Sequence, residues 1–262
     1  MGDPVNGYTR DEMMTVAAAR LLKDGQVCFV GIGLPSAACN LARLTHAPGL
    51  VLIYESGTIG TRPTVLPLSI GDGELAETAT CVIPLPDIFS DYLQAGRIDI
   101  GFLGAAQIDR FGNLNSTVIG SYEKPKTRLP GAGGATEIAA HAREVLVVMK
   151  ATPRSFVKAL DFRTSGGRFA GRPQSGARGE GPSVVVTDVG ILKPHPETGE
   201  FALAAVYRGI PAEEAKAAVG WPLAVLPELE TCAEPTAPEL AELRALEART
   251  EAAHREPVRL PP

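Results

Sequence analysis

The segment Leu50–Gly60, LVLIYESGTIG, decides the fold class. It opens with an unbroken run of apolar and aromatic residues, which is typical of a strand covered on both faces in a parallel sheet. Glu55 follows directly, and Gly57 then lets the chain turn sharply behind Ser56. Because ligands bind at the carboxyl ends of parallel strands, the pattern predicts a carboxylate at a binding edge. An exposed or salt-bridged acid at a strand end is the alternative.

Strands and helices alternate on both sides of this segment. FVGIGLPSAACN (29–40) predicts a strand, a glycine turn and a helix, and EVLVVMK (144–150) predicts another buried strand. Farther on, SVVVTDVGIL (183–192) and FALAAVYRG (201–209) read as a pair of strands. The alternation predicts a layered α/β domain.

We expect one domain over residues 1–262, since no repeat or linker interrupts the chain. A stretch rich in Gly, Arg and Ser near 164–182 predicts a flexible insertion. The charged stretch near 236–256 predicts a C-terminal helix. Its leucines recur every third residue, so that helix packs on its own domain or on a partner chain. These leucines are Leu240, Leu243 and Leu246.

The composition excludes several functional classes. The net charge is −5 and the basic residues are not clustered, which argues against a nucleic-acid surface. No apolar run approaches the roughly 18 residues of a membrane span, and the first residues do not resemble a signal peptide. The four cysteines are scattered, which favours reduced thiols over a disulfide or a metal site. We therefore predict a cytoplasmic protein without a metal.

A second motif, RLPGAGGATE (128–137), places several glycines before a helix. Such a turn exposes backbone N–H groups that bind a phosphate or a developing oxyanion. The alternative is an ordinary tight turn in which glycine supplies a positive φ.

Two further motifs are weaker. Gly31 and Gly33 suggest a dinucleotide fingerprint, but Ser36 stands where the third glycine belongs, so we reject a nicotinamide site. The turn still lies within reach of a ligand. GAAQIDRFGNLNSTVIG (104–120) places Gln107 and Asn115 beside a buried strand. Turn chemistry accounts for the other polar residues, because Asp109, Gly112 and Asn113 predict a hairpin.

The order GIGLP, YESG, LPLSIGDGELAETA, GFLGAAQIDRFGNLN and PGAGGA resembles the β subunit of family I CoA-transferases. The resemblance is specific from residue 11 to about 150 and looser beyond. Many relatives carry Ser-Glu-Asn-Gly at the position of Tyr-Glu-Ser-Gly. The Tyr-Glu-Ser-Gly variant is associated with glutaconate and some 3-oxoadipate enzymes. The resemblance implies an open three-layer α/β/α sandwich with a mainly parallel sheet. A sugar-phosphate isomerase has a similar layered sheet and is an alternative that the fold alone allows, because fold does not fix function.

The resemblance also implies the chemistry. Glu55 would attack an acyl-CoA and form a glutamyl-CoA thioester, with CoA as substrate and no permanently bound cofactor. The loop that contains Gly131 would stabilise the oxyanion through the N–H groups of Gly133, Gly134 and Ala135. Residues near these motifs would line the site: Gly31, Gly33, Ser56, Gly57, Gln107 and Asn115.

The implied assembly pairs this chain with an α subunit, in an α2β2 heterotetramer with the site at the interface. The implied reaction moves CoA from succinyl-CoA to 3-oxoadipate in aromatic degradation. Alternatives are glutaconate or acetoacetate as the acid, acyl-CoA hydrolysis, or a non-catalytic structural subunit. A dicarboxylate needs a cation for its far end, from the α subunit or from a basic residue near the motifs. The candidates here are Arg62, Arg110, Lys124, Lys126 and Arg128.

Overall fold

The computed structural model describes residues 7–167 and 176–255. The helices are α1 (Arg10–Arg20), α2 (Leu34–Leu44), α3 (Gly73–Glu77), α4 (Leu85–Asp87), α5 (Ala135–His141), α6 (Ala212–Ala217) and α7 (Ala237–Arg255). The strands are β1 (Val27–Phe29), β2 (Val51–Ile53), β3 (Thr58–Ile59), β4 (Cys81–Val82), β5 (Ile100–Leu103), β6 (Gln107–Ile108), β7 (Leu114–Asn115), β8 (Val118–Gly120), β9 (Pro125–Arg128), β10 (Glu144–Val148), β11 (Pro182–Val186), β12 (Gly190–Pro194), β13 (Phe201–Tyr207) and β14 (Val225–Cys232).

A single ten-stranded sheet organises the chain, in the order β14-β13-β12-β11-β10-β5-β1-β2-β3-β4. The central strands from β11 to β2 are all parallel, and only β3 and β12 run against the others. The remaining strands form two short hairpins, β6-β7 and β8-β9. The predicted sandwich with a mainly parallel sheet is confirmed.

Each central strand sends alternate side chains to opposite faces, as the strand period of two requires. On β1, Cys28 packs into the core under α1, α2 and α7. Phe29 packs into the core under α5, α6 and the π-helix Ile88–Leu93. Leu52 and Ile53 of β2 divide in the same way. Both faces of the sheet are therefore covered, which explains the unbroken apolar runs in the sequence.

The outer helices α1 and α7 are joined by ion pairs that involve their N-terminal capping residues. Thr9 and Glu12 form the predicted capping box of α1, and Thr236 and Glu239 form an equivalent pair at α7. Each capping glutamate also binds an arginine of the other helix, Glu12 to Arg244 at 2.6 Å and Glu239 to Arg20 at 2.7 Å. Leu243 and Leu246 are fully buried, so α7 packs on its own domain.

Three local features differ from the sequence-based expectation or refine it. The segment DIFSDYLQAG was expected to form an ordinary helix, but Ile88–Leu93 is a π-helix that continues α4. SVVVTDVGIL divides into β11 and β12 at a turn held by the Thr187 hydroxyl. The hairpin predicted at Gly112 forms, and the Asp109 carboxylate accepts the N–H groups of Phe111 and Asn113.

The expected flexible insertion near 164–182 lies partly outside the described residues, which omit 168–175. Its described ends are attached to the domain: Gly167 N donates to Asn113 Oδ1 at 2.9 Å, and Gly179 N donates to Ala140 O at 2.9 Å. Within the described ranges, no helix is both long enough and apolar enough to cross a bilayer.

Candidate active site

Glu55 lies at the tip of a tight turn that follows β2. Gly57 N donates to Tyr54 O at 3.0 Å, and Tyr54 N donates to Thr58 O at 3.1 Å. The turn connects β2 to the antiparallel β3, so Glu55 and Ser56 project at the carboxyl edge of the parallel strands. The Glu55 side chain is half-buried there. This is the position that the sequence predicted for it.

Gly57 is the residue that this turn requires. Its φ is +102°, a conformation that residues with a Cβ rarely adopt. A Cβ at this position would also lie 2.0 Å from Ile83 O, so the neighbouring backbone excludes any side chain. Ile83 N in turn donates to Gly57 O at 3.0 Å. The segment after β4 therefore supports the Glu55 turn from behind.

The glycine loop before α5 lies against the Glu55 carboxylate, although almost 80 residues separate them in the chain. A Cβ built on Gly134 would lie 3.4 Å from Glu55 Cδ, and one built on Gly133 would lie 3.9 Å from Glu55 Oε1. The absence of side chains at these two positions lets the backbone approach the carboxylate. The structure thus brings the two strongest sequence motifs together.

The N–H groups of this loop are not equivalent. Gly131 N donates to Ser116 O at 2.9 Å, and Ala135 N donates to Ala132 O at 2.9 Å. Among the described residues, the N–H groups of Gly133 and Gly134 have no acceptor. The candidate oxyanion donors therefore narrow to these two, while Gly131 and Ala135 hold the loop in shape.

Phe89 supports the loop from the other side, and sequence reasoning missed it. A Cβ on Gly134 would lie only 2.7 Å from Phe89 Cζ, so the ring fills the space that a side chain would need. Phe89 also packs against Phe29 of β1, with ring centroids 5.8 Å apart. It belongs to the π-helix, and such irregular helical turns are frequent at functional sites. No pattern in the sequence signals this contact.

A buried polar network lies directly beneath the Glu55 turn. The Tyr54 hydroxyl is 2.6 Å from Ser36 Oγ on α2, and burial raises the pKa of this tyrosine above its ordinary value. Asn40 Nδ2 donates to Ser36 O, and Arg43 Nη2 donates to both Asn40 Oδ1 and Pro63 O. The network ties α2 to the start of the turn and to the chain that leaves β3.

Gly31 and Gly33 lie at the carboxyl end of β1, the strand beside β2. Gly33 adopts a φ of +81° and begins α2 without a side-chain cap. It also lines a cavity of about 1260 Å³ between the carboxyl edge of the sheet and helices α1, α2 and α7. Glu55 is not part of that lining. The lysine and arginines of the cavity that would meet an anion are paired with carboxylates, as in Lys150–Asp11 and Arg244–Glu12.

Gln107 and Asn115 are buried and hold the framework around the loop. Asn115 Nδ2 donates to Gln107 Oε1 and to Val118 O, each at 2.7 Å. Gln107 Nε2 donates to Asp161 Oδ2 at 3.1 Å. The polar atoms of both side chains are thus engaged within the protein. Their assignment as lining residues stays a prediction, and their observed contacts are structural.

The candidate cations for a distal carboxylate occupy different regions. Arg62 Nη2 approaches Pro48 O, which precedes β2 and so lies at the edge opposite Glu55. Arg110 pairs with Glu200. The remaining three belong to the β8-β9 hairpin, whose second strand leads into the glycine loop: Lys124, Lys126 and Arg128.

The chain is similar to known proteins along most of its length. The sequence model of the family described as Coenzyme A transferase matches residues 11–217. The chain is 57% identical to the B subunit of 3-oxoadipate CoA-transferase from Pseudomonas knackmussii, over 95% of this chain and 97% of the relative. It is 38% identical to the B subunit of glutaconate CoA-transferase from Acidaminococcus fermentans, over 88% and 89% of the two chains.

Solved structures agree. The crystal structure of glutaconate coenzyme A-transferase from Acidaminococcus fermentans superposes with a TM-score of 0.86 and 34% identity, covering 97% of this chain and 100% of that one. The decarboxylase AibA/AibB superposes with a TM-score of 0.80 and 27% identity, over 93% and 98%. The same architecture therefore carries transferase and decarboxylase chemistry, and the residues at the site must distinguish them.

Proposed function

The chain belongs to the Coenzyme A transferase family, and we propose that it is the nucleophile-bearing subunit of a 3-oxoadipate CoA-transferase. The observation that carries the proposal is the Glu55 carboxylate at the sheet edge, against the unpaired N–H groups of Gly133 and Gly134. A nucleophile and an oxyanion site in contact are the two parts that acyl transfer requires.

The reaction begins when a Glu55 oxygen attacks the thioester carbonyl of succinyl-CoA. The carbon–sulfur bond breaks, CoA leaves as the thiolate, and a succinyl-glutamyl anhydride remains. The thiolate then attacks the Glu55 carbonyl carbon, succinate leaves, and Glu55 carries CoA as a thioester. The acceptor acid repeats these steps in reverse. A carboxylate nucleophile suits the task because the acyl energy stays in an anhydride or a thioester and is not lost to water.

Each acyl transfer passes through a tetrahedral oxyanion next to Glu55. The N–H groups of Gly133 and Gly134 are the donors available there, since Gly131 and Ala135 donate elsewhere. One correctly placed donor contributes about 3 kcal/mol to the transition state. The hydrogen bonds that Gly131 exchanges with Ser116 keep the loop preorganised, so that little rearrangement is needed during the reaction.

We infer that a separate α subunit completes the site. Both CoA-transferase relatives are named as B subunits of their enzymes, and the decarboxylase structure is named as a pair, AibA/AibB. Glu55 is only half-buried in this chain. An anhydride intermediate needs protection from water, and a second subunit over the Glu55 turn supplies it.

The acceptor acid is proposed from the 57% identical relative, which is named for 3-oxoadipate. The 38% identical relative, named for glutaconate, makes that acid the second choice. Both are dicarboxylates. A comparison of kcat/KM for 3-oxoadipate, glutaconate and acetoacetate with succinyl-CoA as donor will decide among them.

The decisive experiment traps the covalent intermediate. The chain and its α subunit are mixed with succinyl-CoA without acceptor, treated with borohydride and digested. Borohydride reduces an enzyme thioester to an alcohol, and peptide mapping should place the alcohol at residue 55. Glu55→Gln should give no reduced product, whereas Glu77→Gln, an exposed acid on α3, should react as wild type.

One result would move the assignment to an acyl-CoA hydrolase. In that case the complex would consume succinyl-CoA and release free CoA, but Glu55 would be recovered unmodified. Consumption that persists undiminished in Glu55→Gln would in addition remove Glu55 as the nucleophile.

A further inference from the structure

Four basic side chains near the glycine loop are exposed and have no acidic partner among the described residues. Lys124, Lys126 and Arg128 belong to the β8-β9 hairpin, and Arg163 lies on the neighbouring segment. Within 7–167 and 176–255, none of the four forms an ion pair with a carboxylate. We call this group the cationic hairpin.

The cationic hairpin differs from the basic residues around the large cavity. There, Arg10 pairs with Glu214 at 2.6 Å and Lys150 pairs with Asp11 at 2.8 Å. Lys126 and Arg128 share one face of β9 because they are two residues apart, and Lys124 precedes them by the same interval. Unneutralised like charges at such spacing repel one another and attract a multivalent anion.

The cationic hairpin is joined firmly to the candidate active site. β9 ends at Arg128, and three residues later Gly131 N donates to Ser116 O at 2.9 Å. Thr136 Oγ1, in the first turn of α5, donates to Thr164 O at 3.2 Å, which fixes the segment that carries Arg163. A ligand that contacts Glu55 and the glycine loop can therefore continue along β9.

Flat aromatic surface accompanies the charge. The ring of Tyr122 stacks on that of Phe162, with centroids 5.4 Å apart and an angle of 25° between planes. The guanidinium of Arg128 lies over Tyr122 at 4.8 Å from its centroid, and Tyr122 is 52% exposed. Aromatic rings and arginine planes are the surfaces on which nucleobases stack.

We propose that the cationic hairpin binds the nucleotide end of CoA, with its basic side chains on the 3′-phosphate and the diphosphate. The proposal rests on the proposed function, which supplies CoA as substrate. The chain from Gly131 to Lys126 spans at most about 17 Å when extended. This span is comparable to the length of the extended pantetheine arm, which separates the thioester at Glu55 from the phosphates. Binding energy from this remote end would then serve the acyl step.

The test compares two thioesters that differ only in the phosphates and the nucleoside. Succinyl-CoA carries them, and succinyl-pantetheine does not. The preference of the α–β complex is the ratio of kcat/KM for succinyl-CoA to that for succinyl-pantetheine. Lys124→Glu with Lys126→Glu should lower this preference by about tenfold or more, because two charge-assisted contacts are lost. Because part of this binding energy serves the acyl step, the loss should appear in kcat as well as in KM for succinyl-CoA.

A control makes one such charge reversal elsewhere. Lys23→Glu alters an exposed lysine between α1 and β1, at the opposite edge of the sheet, and should leave the preference unchanged. A preference that the double variant keeps would overturn the proposal. Equal losses with both thioesters would also overturn it, because they would indicate damage to the fold or to the α-subunit contact.

The two proposals fail in different ways. If wild type yields no Glu55 adduct with succinyl-CoA, the proposed function fails first. If wild type forms the adduct and the double variant keeps its preference for CoA, only the role of the cationic hairpin fails.

Discussion

At the scale of single residues, Gly134 lies between the Glu55 carboxylate and the ring of Phe89. A Cβ built on Gly134 would lie 3.4 Å from Glu55 Cδ and 2.7 Å from Phe89 Cζ. We predict that Gly134→Ala lowers kcat by a factor of roughly 10²–10³. The added methyl group displaces the loop, so that its N–H groups no longer point at the oxyanion. Steady-state kinetics of the α–β complex measures the effect, and KM for succinyl-CoA should change little.

The contact with Phe89 makes this prediction specific. Phe89→Leu in the Gly134→Ala background removes the ring edge and should restore part of kcat. Gly73→Ala adds the same methyl group where the closest atom is 3.8 Å away, and should leave kinetics unchanged. A fully active Gly134→Ala enzyme would show that the loop does not act in catalysis.

Gly57 allows a stability measurement on the same turn. We predict that Gly57→Ala destabilises the chain by about 3 kcal/mol, since it combines backbone strain with a collision at Ile83 O. Gly209 has a similar φ of +82° but nothing within 4 Å of its Cβ position. Gly209→Ala should therefore cost only about 1 kcal/mol, the backbone part alone. Urea unfolding of both variants separates the backbone strain from the collision. Equal losses of unfolding free energy would show that the collision with Ile83 O contributes nothing.

The sequence predicted those site residues whose neighbours in the chain define them. Glu55 follows an apolar run, and Gly133 and Gly134 precede a helix, so both motifs were visible locally. Phe89 could not be predicted, because its role comes from a tertiary contact across almost 50 residues of chain. The same holds for Ile83 O, a backbone atom that carries no sequence signal. The division of the loop N–H groups also required the three-dimensional acceptors.

At the scale of elements, the ion pairs that join α1 to α7 depend on pH. Burial would raise the pKa of Glu239, but hydrogen bonds from Arg20 and Thr236 hold it at about 2, below the ordinary value of 4.5. The depressed pKa stabilises the folded chain above pH 4.5, and that contribution disappears as the pH falls toward 2. We predict that Glu239→Gln costs about 1–2 kcal/mol at pH 7, an amount reduced by solvent screening, and progressively less in acid.

A control on the same helix tests the origin of this effect. Glu242 makes no hydrogen bond or ion pair within the described part of the chain, so Glu242→Gln should be neutral at every pH. Denaturant unfolding between pH 7 and pH 3 gives the comparison. If the cost of Glu239→Gln were constant over this range, the carboxylate would not be the stabilising group.

The elements themselves were predictable in proportion to their length and burial. β2, β5 and β10 are apolar runs, and α1 and α7 begin at Thr-x-x-Glu sequences, so patterns of a few residues identify them. The two-residue strands β3 and β4 have no such pattern, because their pairing depends on the turn at Gly57 and on Ile83. The π-helix was expected to be an ordinary helix, since a change from i+4 to i+5 hydrogen bonds leaves the apolar spacing almost unchanged.

At the scale of the whole molecule, the parallel centre of the sheet explains the position of the site. The strands from β11 to β2 all point the same way, so their loops meet at one edge, where Glu55 lies. β3 and β4 extend the sheet beyond Glu55 and end it with a short strand whose residues are exposed. Glu55 therefore lies close to an uncovered margin of the sheet.

That margin carries apolar side chains, which leads to a prediction about assembly. Val82 and Leu85 are 56% and 45% exposed, on the segment that supports Gly57. If the proposed α subunit covers the Glu55 turn, it also covers these residues. Leu85→Asp should then weaken the α–β complex by about tenfold or more, as at a typical interface anchor, and leave the unfolding free energy of the isolated chain unchanged.

Sedimentation of mixed subunits over a concentration series measures this prediction. Leu229→Asp is the matched control, because Leu229 is 38% exposed on β14, at the far end of the sheet from β4. It should leave the α–β dissociation constant unchanged. Equal weakening by both substitutions would indicate a nonspecific effect of the added charge. An unchanged complex with Leu85→Asp would place the α subunit elsewhere, and protection of the anhydride would then have to come from movement within this chain.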